Sequence, residues 1–119
     1  MSNAVNEKEM QAAEKEAKTS TTTYTHNFAT PFEFEGKIYE NLTFEWGTLT
    51  GNDFLAIEAE IAAMGKALIS PEFSSEFLVR MASRACTAEL GSDAITALPI
   101  GDFNRIRGRA RSFLLNTAL

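Results

Sequence analysis

One histidine, one cysteine, a set of hairpin carboxylates and a run of arginines are the residues of this 119-residue chain that could do chemistry. His26 is the only base around which a His-Asp-Ser or His-Cys arrangement could be built. Its place in an alternating stretch puts it on the apolar face of a strand, near Phe44. There a packed histidine bonded to backbone or water is the expected role. Cys86 follows Arg84 on a predicted helix. A nearby cation would lower its pKa, whereas burial would make it a small apolar side chain; the second is favoured. One Cys and one His, far apart, lack the paired spacing of a zinc site. Glu33, Glu35, Glu40 and Glu45 could run acid–base chemistry only if their environments separated their pKa values. On the wet face of a hairpin they serve solubility and edge protection. Gly36, Gly47 and Gly51 match neither nucleotide fingerprint. The expectation is a protein without catalysis, cofactor or metal.

The arginines are more informative. Residues 99–119 hold four Arg against one Asp, a local charge of +3. Residues 24–66 hold seven acids against two Lys, a local charge of −5. At about 100° per residue, Arg105 and Arg109 border one side of a stripe of Phe103, Ile106, Ala110, Phe113 and Leu114. Arg107 and Arg111 border the other side. Two readings stay open. The arginines screen acidic neighbours inside a compact fold, or the helix offers an apolar, basic-edged face to an acidic helical partner or a second copy. Nucleic-acid binding would use the same arginines. However, no aromatic interleaving accompanies them, and the net charge of −5 opposes a phosphate backbone.

The elements that must carry these residues follow from periodicity. Residues 1–23 are polar, with helix formers from Asn6 to Lys18 but few large apolar residues. They predict a solvated arm, or one that folds onto a partner. Residues 24–119 predict one α+β domain, an antiparallel hairpin at 24–46 packed against three to four helices. In the hairpin Tyr24, His26, Phe28, Phe32 and Phe34 alternate with polar residues, as do Ile38, Leu42, Phe44 and Trp46. A three-residue loop, Phe34-Glu35-Gly36, with Gly36 in the left-handed position, brings the apolar sets together. It predicts Glu33 opposite Lys37, Phe32 opposite Ile38, Phe28 opposite Leu42, His26 opposite Phe44 and Tyr24 opposite Trp46. Pro31 suits an edge or a bulge.

A two-stranded sheet needs a cover. Helices are predicted at about 52–67, 71–90, 93–98 and 102–116. The first carries a stripe of Phe54, Ile57, Ile61, Met64 and Leu68, capped by Thr50 or Asp53. The second starts at Ser70-Pro71, carries Phe73, Phe77, Met81 and Ala85, and stops at Leu90-Gly91. No apolar run approaches the roughly 18 residues of a membrane span. The opening MSNAVNEKEM has no apolar signal-peptide core. With one cysteine, the expected compartment is a reducing cytoplasm.

The stretch Phe34-Glu35-Gly36-Lys37-Ile38-Tyr39-Glu40-Asn41-Leu42-Thr43-Phe44 resembles the opening of the Mu-like tail assembly chaperones of tailed phages. Gly51-Asn52-Asp53 matches that family's helix start, and Asp102 to Leu115 its Asp-led terminal helix. Trp46-Gly47-Thr48-Leu49 departs from the common form. The resemblance implies a non-enzymatic protein of the host cytoplasm, a short form of a pair related by ribosomal frameshifting. It would bind the phage tape measure protein, keep that long helical chain soluble and assist assembly of the tail tube protein around it. A homo-oligomer is a further expected partnership; nucleic acid and membrane are not expected. The expected contact face is Arg105, Ile106, Arg109, Ala110, Arg111, Phe113 and Leu114, with Gly36 as a structural turn.

Overall fold

The computed structural model describes residues 22–117. The fold is α+β: strands β1 (Thr23–Phe34) and β2 (Lys37–Glu45) form an antiparallel hairpin, followed by four helices. These are α1 (Gly51–Ala63), α2 (Ser75–Ala85), α3 (Ser92–Thr96) and α4 (Ile100–Thr117). Short 3₁₀ turns at Trp46–Thr48 and Pro71–Phe73 precede α1 and α2. Most of the predicted arm lies outside the described residues. Its last residue, Thr23, belongs to β1, where its hydroxyl donates to the Glu45 carboxylate at 2.9 Å.

The hairpin register differs from the predicted one. Phe34 pairs with Lys37, Glu33 with Ile38 and Phe32 with Tyr39. The loop is therefore the two residues Glu35 and Gly36, at φ 50° and 80°. Two successive positive φ values make a type I′ turn, whose twist matches that of the strands it joins. Gly36 takes up the left-handed conformation, but in a shorter loop than expected. Such a loop puts the two apolar sets on opposite faces, and the chain corrects this farther down. Between Asn27–Asn41 and Phe32–Tyr39 the register shifts, with Phe28, Ala29, Thr30 and Pro31 set against Glu40 alone. The bulge falls at Pro31, which has no N–H to lose from a ladder. Below it His26 faces Leu42 and Tyr24 faces Phe44, in place of the predicted Phe44 and Trp46. The parity is the predicted one, so Leu42, Phe44 and Trp46 all turn inward. Along the unbroken β2 Ile38 keeps the parity of Leu42, but it lies beyond the buried part of that face and is 69% exposed.

The helices are shorter than the periodicity predicts, except the last. Helix α1 ends at Ala63, and Gly65 at φ +75° lets the chain turn back. Met64 and Leu68 thus lie beyond the helix. Helix α2 is capped by Ser74, whose hydroxyl accepts from the Phe77 N–H at 3.2 Å, not by Ser70. Phe73, assigned to the buried stripe, sits in the preceding 3₁₀ turn and is 67% exposed. Helix α2 stops at Ala85, short of Leu90, because Cys86 turns extended and bridges to Phe44. Thr87 continues this union, its N–H donating to the Thr43 carbonyl at 2.9 Å. Helix α4 begins two residues before Asp102, with Pro99 offering the first carbonyl to the Phe103 N–H.

The core lies where these elements meet. Phe44 and Trp46 stack, ring centroids 5.3 Å apart, and Ile57, Ile61, Ile95 and Ile106 close around them. Helix α2 runs through the middle and buries Phe77, Leu78, Val79, Met81, Ala82 and Ala85. It packs against α1, α3 and α4, so it, and not the hairpin, is the element the others surround.

Candidate partner-binding cleft

Helices α1, α2 and α4 do not close fully on one another. They leave a cleft of about 250 Å³ with an apolar lining. Phe54 and Ile57 come from α1, Phe77 and Met81 from α2, Phe113 and Leu114 from α4, and Leu49 to Gly51 form the near edge. Local structure sets these walls. The Thr50 N–H donates to the Asp53 carboxylate at 2.8 Å, which starts α1 one turn past Trp46. Phe54 and Phe77 then meet with centroids 4.8 Å apart, and Phe113 stacks on Trp46 at 6.5 Å.

Asp53 is the one ionisable residue of the lining, and it is already committed. Its carboxylate accepts from Thr50 and from Arg84 at 2.9 Å. The Thr50 backbone N–H, with Arg84 adding to it, holds its pKa below the ordinary value. A space of this kind offers no acid–base pair. It suits one or two large apolar side chains delivered by a partner.

The predicted contact residues divide between core and surface. Ile106 and Ala110 are fully buried and belong to the core. Phe113 and Leu114 are half-buried and open onto the cleft. The arginines split to the two sides that the helical wheel predicts. On one side Arg109 lies over the Tyr24 ring, its guanidinium carbon 4.6 Å from the centroid, and Arg105 is exposed. On the other, Arg111 Nε donates to the Glu72 carbonyl at 2.9 Å, and Arg107 donates to Ser75 Oγ at 2.8 Å. Among the described residues none of these four forms an ion pair with a carboxylate. Internal charge complementarity runs instead through α2. Arg84 meets Asp53 at 2.9 Å and Glu60 at 3.0 Å, and Arg80 approaches Glu60 and Glu76. Lys66 also reaches Glu76, at 2.7 Å.

His26 is buried, 1% exposed, but its partners are two side chains and not the expected backbone or water. Nδ1 lies 2.7 Å from the Tyr24 hydroxyl and Nε2 2.7 Å from Asp102 Oδ1. A carboxylate only accepts, so Nε2–H donates to Asp102, and in the neutral ring Nδ1 is then the acceptor of the Tyr24 hydroxyl. The row has the order of a nucleophile, a base and an orienting acid. Burial, however, raises the Tyr24 pKa despite the opposing pull of Arg109 and Arg105, which works against a phenolate. The arrangement can do one thing well, which is to fasten β1 to the first turn of α4. Asp102 was legible only as a helix start; nothing local shows that residue 102 meets residue 26.

Cys86 is buried, and burial pushes its thiol pKa up, against the pull of the Ala88 and Leu90 backbone N–H groups. Arg84, the cation that could have lowered it, points to Asp53 and Glu60. Among the described residues no group of three His, Cys, Asp or Glu side chains gathers as metal ligands do. No described helix is long and apolar enough to cross a membrane. Of the cleft, Leu49 was not singled out from sequence, and Phe77 and Met81 were legible only as core. Compared with models of protein families, with curated proteins and with solved structures, the chain matches none.

Proposed function

We propose that this protein is a non-enzymatic tail assembly chaperone of a tailed phage, which binds apolar segments of the tape measure protein through the cleft. The observation that carries the reading is the cleft itself. It is an apolar opening beside the terminal helix, whose one carboxylate is already bound, and it is lined by Phe113 and Leu114. A chaperone of a long helical chain needs contacts that are apolar, repeatable and individually modest, and a net charge of −5 that keeps the loaded complex in solution. The family resemblance of the Phe34–Phe44 stretch supports the same role. In it the terminal helix serves through Phe113 and Leu114, while Ile106 and Ala110 hold that helix in place. The tail tube protein is the component whose assembly the complex would assist, in the cytoplasm of the host.

The test is co-expression with the tape measure protein of the phage or prophage that encodes this chain. The wild type is expected to keep that protein soluble and to co-purify with it. Leu114→Glu, which puts a charge at the cleft mouth, is expected to reduce recovery of the complex by tenfold or more, with the fold checked by circular dichroism. Failure of the wild type to solubilise or retain the tape measure protein overturns the proposal.

A further inference from the structure

We propose that Arg111 is a breakable clasp that sets how far the cleft opens, with the last two turns of α4 as the movable wall. This rests on the cleft being the binding site proposed above, but not on which protein supplies the segment. Three observations carry it. The first is where α4 is anchored. Asp102, in its first turn, is bonded to the buried His26 at 2.7 Å, and Ile106 and Ala110 are fully buried. From Arg111 to Thr117 no residue is buried. The helix is thus fixed along its first half, while its second half carries Phe113 and Leu114, the α4 wall of the cleft.

The second is what ties that second half down. Arg111 reaches back to the 3₁₀ turn Pro71–Phe73, where its Nε donates to the Glu72 carbonyl at 2.9 Å and its guanidinium carbon lies 5.7 Å from the Phe73 ring centroid. That turn leads into α2, whose Phe77 stands in the facing wall. Arg111 lies three residues before Leu114, on the same side of the helix, so its grip joins the two walls at one end of the cleft. Neither contact involves a charged acceptor, and the Phe73 ring is 67% exposed. Such contacts are weaker than a charge-assisted pair. Arg107 adds a bond to Ser75 Oγ, but from the anchored half. Between α1 and α2, by contrast, Arg84 meets the carboxylates of Asp53 at 2.9 Å and Glu60 at 3.0 Å. One side of the cleft is bolted by ion pairs, and the other is held by a carbonyl and a ring.

The third is size. An opening of about 250 Å³ takes one or two side chains. A helix is about 10–12 Å across and presents its apolar residues as a stripe over successive turns. To seat such a stripe one wall must give way, and the α4 wall is the more weakly tied. A clasp that must open lowers apparent affinity in proportion to the fraction of molecules that are open. Removing it therefore tightens binding, whereas removing a mere support would weaken it.

The test uses the full chain and a synthetic amphipathic probe peptide of the length of α4, 18 residues, with a Leu/Ala stripe and alternating Glu and Lys elsewhere. Its binding is read by fluorescence anisotropy, beside amide hydrogen exchange and urea unfolding. Arg111→Ala is expected to speed exchange of residues 112–117 at least about tenfold, with little change in residues 103–110. It should also tighten probe binding by about threefold or more. Arg111→Lys, which keeps the charge and a donor, should restore much of the wild-type behaviour. Arg109→Ala removes the same charge from the Tyr24 ring instead and should change neither readout. Leu114→Glu should abolish probe binding, which places the peptide in the cleft. Weaker probe binding by Arg111→Ala, in step with a lower urea midpoint, makes Arg111 a structural support and overturns the proposal. So do equal effects from Arg109→Ala, exchange that rises along the whole helix, or a probe that binds neither the wild type nor Arg111→Ala. Both readouts are taken without the tape measure protein, so their failure overturns the clasp alone.

Discussion

Helices α2 and α4 carry all six arginines of the chain between them, yet the two helices are used in opposite ways. Helix α2 buries six of its 11 residues and sends Arg80 and Arg84 to the carboxylates of α1 and its own first turns. Helix α4 buries two of its 18 residues and lays its arginines on rings, a hydroxyl and a carbonyl. The difference teaches what each contributes. A helix enclosed on several sides specifies the fold, and its charges are consumed within it. A helix held along one side keeps apolar surface, at Phe113 and Leu114, that the fold leaves half covered. Charge count alone does not separate the two cases; the positions of the carboxylates do.

The largest expected effect that sharpens this contrast is in the core of α2. Phe77→Ala removes a ring that is 1% exposed, and should cost about 3–5 kcal/mol in urea unfolding. Phe113→Ala on the half-covered helix should cost clearly less, about 1–2 kcal/mol, while reducing partner recovery more. Equal stability losses would mean that α4 is as much a core helix as α2, and would break the comparison.

Asp102→Ala comes next, because it leaves a buried histidine nitrogen without its acceptor. The expected loss is about 1–3 kcal/mol, with faster amide exchange in β1 and the first turn of α4 than in α2. Uniform exchange would show that the Tyr24–His26–Asp102 row fastens nothing in particular.

A smaller effect follows from Asp53. Its folded pKa is lowered, first by the Thr50 N–H and then by Arg84. A depressed carboxylate stabilises the folded form above its unfolded pKa, near the ordinary 3.8, and this is lost as pH falls through the lower folded value. Asp53→Asn should therefore lower stability at neutral pH by less than about 1 kcal/mol, since the group is partly exposed. It should also flatten the decline in stability below about pH 4. An unchanged acid limb would remove Asp53 from that account. Arg109→Ala, which removes an exposed cation from the Tyr24 ring, should cost only about 0.5 kcal/mol in the same unfolding experiment.

Much of this was legible in the chain. Alternation at Leu42, Phe44 and Trp46 marks an inward strand face, and all three residues are buried. Ile57 and Ile61 are on the predicted face of α1, and Ile106 and Ala110 on that of α4. These survive because a period of two or of 3.6 is a local property of the backbone. Boundaries were less legible. The end of α2 is set by the bridge between Cys86 and Phe44, a contact across 41 intervening residues.

The sequence by itself determined the α+β class, the two amphipathic periods and the turn at Gly36, since each follows from local sterics and apolar spacing. Only the tertiary structure decided the register, because a two-residue loop and a distant bulge at Pro31 correct each other's parity. It likewise decided that His26 meets Asp102 and that α4 turns Ile106 and Ala110 inward. It also decided that Phe113 and Leu114 share a cleft with Phe54 and Met81. Each of these joins residues far apart in the chain, and no local pattern records where a distant partner will stand.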